Sequence, residues 1–118
     1  MTPFGVLLRY HRNERGITLK ELAIHLGASQ KTLSAIETGR QRPLQGEQFD
    51  LLCDRLSLLP AQRSELADAA NHSVAHLRIP DNATPREWRL AHLLMQSLGK
   101  LSSEQIESIH AALHRPAV

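Results

Sequence analysis

Apolar residues recur along this chain at spacings of three and four, and no stretch alternates as a half-buried strand would, so the pattern predicts an all-α protein. Thr2 and Pro3 make an N-cap and first-turn pair before FGVLLRYHRNER, where Phe4, Leu8 and His11 share a stripe that Gly16 closes. Thr18 then caps LKELAIHL, and Glu21 three residues on completes a T-x-x-E capping box. Leu19, Leu22, Ala23 and Leu26 lie on one face of that helix, with Gly27 placed just beyond its end. Ser29 opens a third helix, KTLSAIE, with Leu33 and Ile36 inward and Gly39 at its close. Pro43 and the polar QGEQ lead to a fourth with Phe49, Leu52, Cys53, Leu56 and Leu59 at helical spacing. Pro60 opens a fifth, AQRSELADAANH, with Leu66, Ala69 and Ala70 inward.

Beyond VAHLRIPDNA, read as a connection, helical signals resume. Thr84, Pro85 and Glu87 supply a cap, a first-turn proline and a capping-box glutamate, and Trp88, Ala91, Leu94, Met95 and Leu98 form a stripe ending at Gly99. Ser102 and Gln105 form another box, after which Ile106, Ile109 and Leu113 stripe a last helix ahead of Pro116. The expected division is residues 1–72, a connection at 73–83, and a helical hairpin at 84–118. A hairpin this small cannot bury both stripes alone, so it docks on the first domain, pairs with another copy, or holds a partner helix.

The join between the second and third helices narrows the picture further. Only Gly27 and Ala28 separate Leu26 from the cap Ser29, so the chain turns sharply there, and glycine takes positive φ at little cost. Small Ala23 lets the third helix cross close to the second. This is a helix-turn-helix, in which the second member is presented to a DNA major groove.

Composition and charge agree with that reading. Residues 1–43 hold seven Lys/Arg against three acids (+4), and residues 44–118 hold seven against nine (−2), which fits one face meeting a polyanion. The single cysteine, Cys53, excludes an internal disulfide framework and falls on an apolar stripe as a small core residue. Arg9 interrupts MTPFGVLL too early for a signal segment, and no apolar run reaches membrane-spanning length, so a soluble cytoplasmic protein is expected. His72 and His76, like His110 and His114, stand four apart and would share a helix face, but no third ligand sits at a telling distance, so no metal and no cofactor is expected. None of the common phosphate-loop, zinc-protease or nucleophile-elbow motifs occurs, and the chain is expected to be no enzyme.

Residues 4–58, through FGVLLRYHRNERGITLKELAIHLG, ASQKTLSAIETGRQRP and FDLLCDRLSL, resemble the Cro/C1-type (XRE) helix-turn-helix regulators. The resemblance implies a five-helix, lambda-repressor-like DNA-binding domain whose third helix reads double-stranded DNA, bound as a homodimer. It implies base contacts by Gln30, Lys31, Thr32, Ser34 and Ala35, and phosphate contacts by Thr38, Arg40 and Arg42. The chemistry suits those roles: Gln can bridge adenine N6 and N7, Lys can donate to guanine, and methyl groups can meet thymine. Arg12 and Glu37 match a pair that in relatives ties the first helix to the end of the recognition helix. Leu19 replaces a glutamine that many relatives extend to a phosphate. His11 replaces an aliphatic residue, which implies looser packing of the first helix or a place at the core's edge.

A tryptophan-bearing hairpin after such a domain also resembles, in architecture, the SinR type of repressor, whose hairpin mediates multimerisation and antagonist binding. That resemblance implies an oligomerisation or partner-protein surface at Trp88, Ala91, Leu94, Met95, Leu98, Ile106, Ile109 and Leu113. The function expected is a sequence-specific repressor on an inverted-repeat operator. The alternatives are an antitoxin that neutralises a partner through its tail and autoregulates its operon, or an adaptor that keeps the fold without DNA binding.

Overall fold

The computed structural model describes residues 1–115, and among these it contains seven α-helices and no strand. They are α1 (Pro3–Glu14), α2 (Leu19–Leu26), α3 (Gln30–Thr38), α4 (Gly46–Arg55), α5 (Pro60–Asn71), α6 (Pro85–Ser97) and α7 (Ser103–His114); the expected stop at Pro116 lies outside the described residues. None of these helices is long and apolar enough to cross a membrane. The chain divides into two compact units, Met1–Leu77 and the residues from Arg78 onward. The division falls within the stretch 73–83 read as a connection.

Local chemistry sets the helix ends. The hydroxyls of Thr2, Thr18 and Ser29 accept the backbone N–H of Gly5, Glu21 and Thr32 at 3.0, 3.1 and 3.0 Å, which supplies partners to donors that the first helical turn leaves free. Between α2 and α3, Gly27 takes φ 68° and the Ala28 N–H closes back onto the Ala23 carbonyl at 3.0 Å, so two residues suffice to reverse direction.

In the first unit α1 packs on α3 and α5, while α2 packs on α3 and α4. Phe4, Leu8, Leu22, Leu33, Ile36, Leu52, Leu56 and Leu66 are fully enclosed at their meeting point. Cys53 belongs to the same core, and burial raises its thiol pKa.

Several details depart from the sequence reading, beginning with the box expected at Thr18, of which only the bond from the Glu21 N–H forms. α4 stops at Arg55, because Ser57 adopts φ 51°; Leu56 still reaches the core, but Leu59 is exposed and precedes α5. α5 stops at Asn71 with His72 as its cap, so His72 and His76 do not share a helix face. His11, expected either in a loosely packed first helix or at the core's edge, is buried. The other histidine pair does lie on one helix, where the rings of His110 and His114 stack at 4.1 Å. Among the described residues no group of three or more His, Cys, Asp or Glu is placed to share a metal.

In the second unit α6 and α7 begin with reciprocal capping boxes, Thr84 with Glu87 and Ser102 with Gln105. The Thr84 backbone N–H, then its hydroxyl, hold the Glu87 carboxyl below the usual carboxylate pKa. Neither helix contains a buried residue. Ala91, Leu94 and Ile109 are half-covered, whereas Trp88, Met95, Leu98, Ile106 and Leu113 are exposed. Leu90 and Leu93, which lie off the expected stripe, are each 61% exposed and widen the apolar surface of α6.

Candidate nucleic-acid interface

The placement of α3 begins with a glycine that has no turn to make. Gly5 sits inside α1, and a Cβ there would stand 2.0 Å from the Glu37 carbonyl oxygen, so only glycine lets α1 approach the end of α3 this closely. At the crossing Glu37, 1% exposed, receives two arginines: Arg12 Nε donates to Oε1 at 3.0 Å and Arg9 Nε to Oε2 at 3.3 Å. Arg12 Nη1 also donates to the Ile17 carbonyl at 3.1 Å. Each carboxylate oxygen is thus engaged, and the pairs join α1 to the end of α3.

With Leu33, Ile36 and Glu37 inward, α3 leaves the rest of its surface outward. Gln30 and Lys31 in its first turn are exposed. The Thr32 hydroxyl lies 2.8 Å from the Ser29 hydroxyl, and Thr32, Ser34 and Ala35 are half-covered. Thr38 Oγ1 donates back to the Ser34 and Ala35 carbonyls at 3.0 and 3.2 Å and accepts from Arg40 Nε at 3.3 Å, so it steers the Arg40 guanidinium. Gly39 ends the helix at φ 87°, and a Cβ there would meet the Thr2 methyl at 2.6 Å, so the loop that follows is held against the cap of α1. Arg40 and Arg42 in that loop are exposed, and among the described residues neither they nor Lys31 form an ion pair. Leu19, lacking any donor, packs partly buried against the core.

His11 occupies the other flank of α1. Its Nδ1 lies 3.2 Å from Arg15 Nη1, which can only donate, so Nδ1 accepts and the ring proton sits on Nε2, buried without a partner. Burial, followed by the Arg15 cation, lowers the His11 pKa from its ordinary value. Arg15 also donates to the carbonyls of His11 and Leu56, joining α1 to the end of α4.

The sequence reading missed Gly5, Arg9, Arg15 and Ser73. Gly5 and Arg9 carried a usable signal: an isolated glycine inside a helical pattern, with an arginine four residues on and therefore on the same face. Nothing in the local sequence pointed to Arg15 or Ser73. Ser73 lies past α5, yet its hydroxyl accepts the Phe4 N–H at 2.9 Å.

No curated protein and no solved structure shows significant similarity to the chain. The family model for the helix-turn-helix domain matches residues 3–66, which is more than half of the sequence and covers α1 to α4 with the first half of α5. The chain belongs to the helix-turn-helix domain family of DNA-binding transcription regulators.

Proposed function

We propose that this protein is a sequence-specific transcriptional repressor that binds an inverted-repeat operator as a homodimer. Gln30, Lys31, Thr32, Ser34 and Ala35 face the bases, and Thr38, Arg40 and Arg42 face the phosphates. The observation that carries the reading is the pairing of an exposed α3 first turn with a loop whose two arginines have no carboxylate partner among the described residues. Repression follows the Cro/C1-type resemblance. Dimerisation is supported by α6 and α7, which carry Trp88, Met95, Leu98, Ile106 and Leu113 exposed and bury nothing.

Selection of bound sites from a random duplex library tests this directly. The selected site should be an inverted repeat with half-site centres about 10 bp apart or a multiple of that, and a promoter carrying it should lose output when the protein is present. On that site Gln30→Ala or Lys31→Ala should cost about 1–3 kcal/mol and relax discrimination, because each removes a base-edge contact. Arg40→Ala and Arg42→Ala should weaken all duplexes alike and each lower the salt slope by about one unit. Unchanged discrimination in the Gln30 and Lys31 variants would remove α3 as the reading helix.

A further inference from the structure

The chain does not leave the first unit when α5 ends. Ser73 is buried, and its hydroxyl accepts the Phe4 N–H at 2.9 Å while donating to the Ala69 carbonyl at 2.6 Å. These two hydrogen bonds fasten the following segment beside the start of α1, where the loop leaving α3 is also held through Gly39 and Thr2. Residues 73–76 form one wall of a narrow cleft, and residues 39–42 form the other. The charged or titratable residues lining it are Arg40, Arg42 and His76, and no Asp or Glu is among them. Two guanidinium groups and an imidazole, gathered around one cleft without a counter-charge, attract an anion.

We propose that this cleft is a subsite for a DNA backbone phosphate, and that His76, from the segment after α5, is a DNA contact alongside Arg40 and Arg42. The proposal rests on the DNA-binding reading above and extends the interface to a part of the chain outside the helix-turn-helix. The cleft shares residues 39–42 with the loop that follows the recognition helix, so the polyanion engaged by α3 is the one within its reach. A phosphate accepts from imidazolium more strongly than from neutral imidazole, so the contribution of His76 is larger where histidine is charged.

The test uses the full-length protein on its selected site and on a scrambled duplex, at about pH 6 and about pH 8, with affinity measured across a salt series. Wild type is compared with His76→Ala, His76→Lys and Arg40→Ala. At the lower pH His76→Ala should weaken both duplexes by on the order of threefold to tenfold and reduce the salt slope by up to about 0.9, the value of one phosphate contact. At the higher pH the difference from wild type should shrink, and His76→Lys should bind at least as well as wild type at both. Because His76 is exposed and forms no hydrogen bond with the described residues, an unchanged unfolding curve should accompany these effects. If His76→Ala matches wild type at both pH values while Arg40→Ala loses affinity, the cleft is not a phosphate subsite although the DNA reading stands. If wild type binds no duplex at all, the DNA reading itself fails and this proposal with it.

Discussion

α6 and α7 start with complete capping boxes, whereas Thr18 of α2 receives only its own half of one, the Glu21 N–H. By local chemistry the hairpin helices are the better specified. Yet each helix of the first unit sends residues into a shared interior, and neither hairpin helix buries any. Local helix signals and burial are therefore separate properties. Helices of twelve or thirteen residues are marginal alone, and α6 and α7 lack the burial that α1 to α5 have.

The largest expected effect probes that contrast from the buried side. Phe4→Ala removes a fully enclosed ring and should destabilise the first unit by about 3–5 kcal/mol, independent of protein concentration, as read by urea unfolding. Trp88→Ala should leave the same transition of the first unit in place. A comparable loss from both would mean that the two units fold as one, and the contrast would be void.

Self-association is next. Trp88→Ala combined with Ile109→Asp should convert the proposed dimer to monomer in sedimentation at tens of micromolar, because truncating an interfacial tryptophan costs about 2 kcal/mol or more and a desolvated aspartate adds to it. Affinity for a two-half-site operator should fall with it, since the second domain is no longer tethered, while weak binding by one domain persists. A wild type that sediments as a monomer at that concentration would place the dimer contact elsewhere or abolish it.

The smallest effect sharpens the account of the buried side. The folded pKa of His11 lies below its unfolded value, so the unfolded chain binds the proton more readily. Its contribution is therefore fully present above the ordinary histidine pKa and is lost as pH falls below it toward the lowered folded value. Unfolding should accordingly be easier near pH 5.5 than near pH 7.5. His11→Leu removes the partnerless Nε2–H and should flatten that dependence, with a gain of about 1 kcal/mol at neutral pH. A steeper dependence in the leucine variant would show that another group controls acid sensitivity.

Much of the first unit was legible because its signals are local. Thr2, Thr18 and Ser29 cap the helices they precede, and Gly27 turns the chain where a two-residue link demands it. Leu59 misled because a run of leucines at helical spacing continues through Ser57, whose positive φ no pattern announces. His72 and His76 misled because spacing assumes that the helix continues, and α5 ends between them.

What the sequence determined by itself was the set of helices, the inner faces of those in the first unit, and the α2–α3 turn, since each follows from residues within a few positions of one another. Only the tertiary structure decided that Arg9 joins Arg12 on Glu37, that Gly5 must be glycine, that His11 is enclosed, and that Ser73 brings His76 beside Arg40 and Arg42. Those facts join residues 25 to 69 positions apart in the cases bridged by hydrogen bonds. Such pairings depend on how whole helices cross, which no periodicity along the chain encodes.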